Sequence, residues 1–116
     1  MSKCIQRNIV FLQLLAKKRS KQRALILDKA SYDNIKCLSE ISHNLLKGNL
    51  KVSAKIIKKL KKFKDILRAL GEKKTSLKTK KKLLLKSNSY LPYIINPVLS
   101  AVGTISGKIV ANYMGI

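Results

Sequence analysis

The amino-acid sequence predicts an all-α protein, a small bundle of four to five short basic amphipathic helices followed by an apolar C-terminal tail helix. Three observations lead to this expectation. Apolar residues recur at intervals of three and four, which places them on one face of a helix. Serines precede several of these runs and glycines follow them, as at helix ends. No useful length of alternating apolar and polar residues, the pattern of a half-buried strand, appears in the 116 residues.

The first two predicted helices lie within residues 3–28. The stretch KCIQRNIVFLQLLAKKR places Ile5 and Leu12 on one apolar face and ends in basic residues. Those residues are favourable beside the negative end of a helix dipole. Ser20 is the expected cap of a second helix that runs through Asp28.

The third and fourth predicted helices have the clearest patterns. The stretch YDNIKCLSEISHNLLKG carries a regular apolar stripe and stops at Gly48, a residue able to adopt the left-handed conformation past a helix end. Ser53 is the expected cap of the fourth helix, which continues to Gly71. The helices are expected to pack loosely through Ile35, Leu38, Ile41, Leu60, Phe63 and Leu67.

The composition changes sharply after Lys86. A short fifth helix, LKTKKKLLLK, is expected behind Ser76, and only one of the 26 basic residues, Lys108, follows it. This break predicts a basic nucleic-acid-binding body of residues 1–86 and an apolar, Pro- and Gly-containing tail of residues 87–116. The polar Ser87-Asn88-Ser89 is expected to form a short hinge between them.

The tail is expected to begin with an extended or kinked segment. The residue before a proline avoids the helical region, so Pro92 and Pro97 predict a break and a helix that resumes from Pro97. Gly103 and Gly107 form a GxxxG, a spacing that allows close helix–helix approach. The residues expected to contact a membrane or a partner are Tyr90, Leu91, Pro92, Tyr93, Ile94, Ile95, Pro97, Gly103, Gly107 and Tyr113.

Three interpretations of this tail are open. A membrane span has enough length from Pro97 onwards, but Lys108 and several polar residues weaken it. An interfacial segment anchored by tyrosines is the second interpretation. The third is ordinary packing, in which the tail folds over the helical body or pairs with a partner.

The net charge of +21 indicates an anionic partner. A merely solvated surface normally mixes both signs, whereas here 26 basic residues face 5 acidic ones. Lysine outnumbers arginine and the body has few aromatic residues, so we expect contacts to the nucleic-acid backbone and little base readout. The predicted nucleic-acid-binding residues are Lys17, Lys18, Arg19, Lys21, Arg23, Lys55, Lys58, Lys59, Lys61, Lys62, Lys64, Arg68, Lys73, Lys74, Lys78, Lys80, Lys81, Lys82 and Lys86.

Catalysis and metal binding are not expected from the residue inventory. Cys4, Cys37 and His43 are too few and too scattered for a structural zinc site. One histidine and few carboxylates leave a hydroxyl or thiol nucleophile without a base and an orienting group. We therefore predict neither an enzyme nor a cofactor. A helix-turn-helix over residues 32–70 is disfavoured because the linker GNLKVS is longer than the usual turn.

The order of motifs resembles a family of small basic proteins encoded by adintoviruses and related Polinton-type elements. The resembling stretches are LAKKRSKQRALILDKA, ISHNLLKGNLKVS, KKLKKFKDILRAL, KKTSLKTKKKLLL and the LP-containing YLPYIINPVLSAVG. That family is in turn similar to adenovirus core protein X, the mu precursor, which joins a basic DNA-condensing region to an apolar C-terminal segment. Relatives often carry a Gly-Gly pair before the aromatic-LP motif, whereas this chain reads Ser87-Asn88-Ser89 before Tyr90.

The resemblance implies a minor virion core protein that helps to package double-stranded DNA in the host nucleus. Its partners would be duplex DNA and, through the tail, capsid proteins, other core proteins or a membrane. Two alternatives stay open at this point. The chain would otherwise be a cationic membrane-active or membrane-anchored protein, whose lysines meet anionic lipid, or a basic RNA-binding protein.

Overall fold

The computed structural model describes residues 3–49 and 52–105, with the last five given by their backbone alone, and this part of the chain is helical without strands. The predicted all-α class is therefore confirmed. The α-helices are α1 (Lys3–Arg7), α2 (Ile9–Lys17), α3 (Ser20–Asp28), α4 (Tyr32–Leu46), α5 (Ala54–Leu60), α6 (Lys64–Gly71), α7 (Leu77–Lys86) and α8 (Leu91–Ile105). Short 3-10 turns at Lys61–Phe63 and Asn88–Tyr90 lead into α6 and α8.

Serine caps set the start of three helices. Ser31 accepts the backbone N–H of Asn34, whose side chain in turn accepts the N–H of Ser31, so the two form a reciprocal capping pair before α4. The predicted caps Ser53 and Ser76 are confirmed, since each hydroxyl accepts a backbone N–H of the first turn. The prediction for Ser20 is wrong by one residue, because Arg19 occupies the capping position of α3.

Two glycines act differently at the helix ends. Gly48 has φ = +76° behind α4, which confirms the predicted left-handed stop. Gly71 is the last residue of α6, and a Cβ built on it would lie 3.1 Å from the Cα of His43 in α4. The missing side chain therefore allows the backbones of α4 and α6 to approach closely.

Some predicted helices are interrupted. The first breaks at Asn8, which is buried between α1 and α2 and donates its side-chain amide to the carbonyl of Cys4 at 2.6 Å and to Asp33 at 3.0 Å. The fourth tightens to 3-10 geometry at Lys61–Phe63. Both interruptions leave more and shorter helical pieces than the four or five expected.

The core joins α4 to α6 and α2 to α8. Leu38 and Ile41 on α4 and Leu70 on α6 have no exposed surface, and Leu67 is nearly buried. Of the residues predicted to form the core, only Phe63 is half-buried.

The start of the tail belongs to this core. Tyr90, Leu91, Ile94 and Ile95 have no exposed surface, and α8 contacts α2 and α4. Burial raises the pKa of Tyr90, whose hydroxyl has no hydrogen-bond partner among the described residues.

The predicted break at the two prolines of the tail is wrong. Both lie within α8. Pro92 sits in the first turn, where a backbone N–H needs no partner inside the helix. Pro97 is inside the helix and removes one internal hydrogen bond, a loss that burial of Ile94, Ile95 and Val98 around it offsets.

Candidate nucleic-acid interface

The most basic surface is formed by the run of helix from α5 through the 3-10 turn to α6. All its lysines are exposed, as is Arg68. They divide between two sides. One set lines a cleft beside the start of α8, namely Lys55, Lys58, Lys59 and Lys62. Lys61 and Lys64 line a separate apolar groove beside the end of α4. We call residues 55–68 of this run the basic face.

Aromatic residues anchor the basic face to the tail. The rings of Phe63 and Tyr90 pack with centroids 5.0 Å apart. The ammonium of Lys59 lies 5.0 Å from the centre of the Tyr93 ring, within the range of a cation–π contact. Residues predicted for the body and for the tail thus meet at one place.

The positive charge is almost uncompensated within the protein. Arg7 and Asp33 form the one ion pair of the described residues, at 2.9 Å, and neither belongs to the basic face. The Arg7 guanidinium and then the Asn8 amide hold the pKa of Asp33 below its usual value. Asp65 is the single acidic residue of the basic face, so most of the compensation for its six lysines and Arg68 has to come from an external anion.

The other predicted basic residues occupy two further regions. Lys17, Lys18, Arg19 and Lys21 are exposed around the turn between α2 and α3. Exposed lysines of the α6–α7 loop and of α7 form the other region, which comprises Lys73, Lys74, Lys78, Lys82 and Lys86.

Lys80 does not lie on an exposed basic surface. Only 4% of the surface of Lys80 is exposed, and its ammonium donates to the Ser39 hydroxyl at 2.6 Å. That hydroxyl donates to the carbonyl of Leu70 at 2.5 Å. Burial lowers the pKa of Lys80, which a nearby Glu72 partly opposes. Lys80 therefore ties α7 to α4 and α6.

Two more of the predicted cations are engaged by the protein itself. The Arg23 guanidinium donates to the carbonyl of Lys18 at 2.7 Å and to the side chain of Asn88 at 3.3 Å. The ammonium of Lys81 donates to the carbonyl of Asp28. These contacts tie α3 to the expected hinge and to α7, and they leave both groups less available to phosphate than the lysines of the basic face.

The residues predicted for membrane or partner contact are divided. Tyr90, Leu91, Ile94 and Ile95 are buried in the core, and Pro92, Tyr93 and Pro97 are half-buried. Gly103 lies in α8, while Gly107 and Tyr113 are outside the described residues. Within residues 3–49 and 52–105, no helix combines the length and the apolar character that crossing a bilayer requires.

The cysteines and the histidine are separate from the basic face. Cys4 and Cys37 are free, buried thiols, and burial raises the pKa of each. His43 is exposed and lines a cleft with Lys80 and Gly71. In the part of the chain that the structure describes, no group of three or more potential ligands is arranged for a metal ion.

Two features of the site, Ser89 and the cleft that it lines, are not predicted by the sequence. The sequence assigns Ser89 to the hinge, whereas in the structure it lines the cleft with the four lysines. The cleft itself was also missed, although the spacing of Lys55, Lys58, Lys59 and Lys62 places all four on one helix face.

No protein-family model, curated protein or solved structure matches the chain.

Proposed function

We propose that this protein binds duplex DNA without sequence specificity and condenses it as a minor core protein of a double-stranded DNA virus or virus-derived element. One observation supports the binding activity above the others. The basic face exposes six lysines and Arg68 without an ion pair among the described residues.

Backbone neutralisation is the mechanism that these residues favour. Each lysine that meets a phosphate releases condensed counterions, which makes affinity depend on salt and hardly on base sequence. Lysine ammonium groups are point charges, whereas bidentate recognition of guanine favours arginine. Arg68 is the single arginine of the basic face. We therefore expect duplexes of different sequence to bind with similar affinity.

Condensation requires one molecule to contact more than one duplex segment. The chain carries basic clusters on three regions, the basic face, the α2–α3 turn and α7 with its preceding loop. The described residues span 39 × 32 × 27 Å, and these three regions are formed by different helices and loops. We infer that the protein bridges neighbouring duplexes and reduces their mutual repulsion.

The viral setting comes from the resemblance to the adintovirus and Polinton-type proteins. In that setting the DNA is a viral genome, the protein acts in the host nucleus and the virion core, and capsid or other core proteins are further partners. The burial of Tyr90, Leu91, Ile94 and Ile95 supports a structural use of the first half of the tail and makes that half unavailable to lipid in this conformation.

A charge-matched pair of variants tests the proposal. In the test variant, Lys58, Lys61, Lys62 and Lys64 become Gln. We expect affinity for every duplex to fall and the salt slope, the dependence of log K on log salt, to flatten by about three to four, at about 0.9 per lost phosphate contact. Fluorescence anisotropy across a salt series, with three duplexes of unrelated sequence, measures both quantities. Light scattering follows condensation.

The control loses the same charge elsewhere. It replaces four exposed lysines outside the predicted set, Lys3, Lys29, Lys36 and Lys47, by Gln. It should change the salt slope much less than the test variant. Equal effects of the two variants, or unchanged affinity in the test variant, would overturn the assignment of the basic face.

A further inference from the structure

A cleft of about 550 Å³ lies between α5 and the start of α8. Its lining brings together cations from one element with a hydroxyl and an aromatic ring from another. The lining residues are Lys55, Lys58, Lys59, Lys62, Phe63, Ser89 and Tyr93. This volume lies in the range of small-ligand sites and is far too small for a duplex to enter.

The four lysines of the cleft are spaced i, i+3, i+4 and i+7. Neighbours at these spacings lie side by side on a helix, so their like charges repel and weaken the helix. None of the described residues that line the cleft is acidic. A concave surface focuses the field of its charges, so the attraction for an anion is stronger here than on the open part of the basic face.

The cleft also has fixed parts. Lys59 is held over the Tyr93 ring by its cation–π contact, which directs one ammonium to the α8 side. Phe63 packs against the buried ring of Tyr90. The exposed Ser89 adds a hydroxyl that can donate to an oxygen anion. The site therefore offers both charge and directed hydrogen-bond donors.

We propose that this cleft binds a short run of adjacent phosphate groups, as found in inorganic tripolyphosphate or along an unpaired nucleic-acid strand. From Lys55 to Lys62 the helix advances about 10 Å, so a single phosphate cannot meet all four ammonium groups. A flexible row of anions can. Phosphate suits lysine because an ammonium binds it as a point charge without the planar geometry that arginine supplies.

The inference goes beyond duplex binding, although it shares lysines with it. Duplex backbone contacts use the whole basic face from outside, whereas the proposed ligand lies within the cleft. Lys61 and Lys64, which line the separate groove beside the end of α4, should therefore matter for duplex but not for the small ligand.

Isothermal titration calorimetry of the full chain with tripolyphosphate tests this inference. The test variant is Lys58→Gln with Lys62→Gln, and the control is Lys61→Gln with Lys64→Gln, which loses the same charge outside the cleft. We expect the wild type to bind one tripolyphosphate per chain. The test variant should weaken this binding at least about tenfold and the control less than about twofold. Orthophosphate should bind far more weakly than tripolyphosphate.

A second variant separates positioning from charge. Tyr93→Leu keeps every lysine but removes the ring under Lys59, so tripolyphosphate affinity should fall about threefold. Duplex affinity should fall less, because Lys59 is the one lysine of the basic face with a cation–π contact to this ring among the described residues. Thermal unfolding checks that each variant is folded. An unpaired oligonucleotide that competes with tripolyphosphate, while a duplex of equal length competes poorly, would identify nucleic acid as a source of the ligand. Competition from neither would leave free polyphosphate as the ligand.

Equal loss of affinity in the test variant and the control, or tripolyphosphate binding without a defined stoichiometry, would overturn the cleft as a site. The two proposals fail separately. If tripolyphosphate binds as expected but duplex affinity shows no salt dependence, the proposed function fails and the cleft stands. If duplex affinity depends on the lysines of the basic face while the test variant and the control bind tripolyphosphate equally well, the cleft fails as a site and the proposed function stands.

Discussion

Removing the tail should unfold the basic body. A chain that ends at Lys86 loses Tyr90, Leu91, Ile94 and Ile95, each of which has no exposed surface. At about 1.5–3 kcal/mol for each large buried apolar side chain, the loss is roughly 6–12 kcal/mol, an upper estimate because the unfolded chain buries part of this surface. Domains of this size are stable by about 5–15 kcal/mol, so little or no stability would remain.

Urea denaturation followed by far-ultraviolet circular dichroism measures this effect. We expect a cooperative transition for the full chain and none, or one close to zero urea, for residues 1–86. A chain that ends at Ile105 is the control, because it keeps every described buried side chain and should unfold like the full protein. A cooperative transition of residues 1–86 at nearly the full-length midpoint would refute the reasoning and make the tail a separate module.

Three further predictions concern single residues. Burial lowers the pKa of Lys80 below 10.5, so its charge destabilises the folded state at neutral pH, and this cost disappears as pH rises towards 10.5. The free energy of unfolding of the wild type should therefore increase relative to that of Lys80→Met over this rise. Urea titrations at several pH values measure the difference, and a constant difference would contradict the burial. Arg7 lowers the pKa of Asp33, so this pair stabilises the fold above about pH 4, and its contribution is lost as pH falls through the lowered pKa. The free energy of unfolding of Asp33→Asn should therefore fall less steeply with decreasing pH than that of the wild type, and an unchanged dependence on pH would contradict the pair. Gly71→Ala should destabilise by about 1–3 kcal/mol in thermal unfolding because its methyl group would lie 3.1 Å from the His43 backbone, and a neutral or stabilising result would contradict this close approach.

Local signals in the sequence were enough to predict the all-α class and several helix ends. Ser53, Ser76 and Gly48 act through hydrogen bonds or backbone angles within a few residues, so their roles can be read without the rest of the fold. The break at Asn8 could not be read in this way. It depends on Asp33, which is distant in sequence and reaches Asn8 only after α4 has packed.

The errors in the tail and in α7 have different physical origins. Pro97 disfavours a helix because it removes one internal hydrogen bond, but burial of its neighbours in the core outweighs this loss. Composition alone predicts that Lys80 is exposed like its lysine neighbours. Its position between Leu77 and Leu84, at spacings of three and four, places it on the apolar face of α7 and could have identified it as the lysine that is buried.

The basic face was predicted from sequence, and the cleft was not. Periodicity alone places Lys55, Lys58, Lys59 and Lys62 on one side of a helix. It says nothing about which element lies opposite. The cleft exists because the start of α8 returns to this side and brings Ser89 and Tyr93 with it.

The pairing of α2 with α8 has a consequence for biosynthesis. These helices come from opposite ends of the described chain, so the core cannot close until α8 has left the ribosome. Until then the lysine-rich segments are translated but unfolded, and their mutual repulsion opposes early collapse. Closure of the core is thus coupled to synthesis of α8, and a nascent chain presents cationic segments to cellular RNA before it presents an ordered surface.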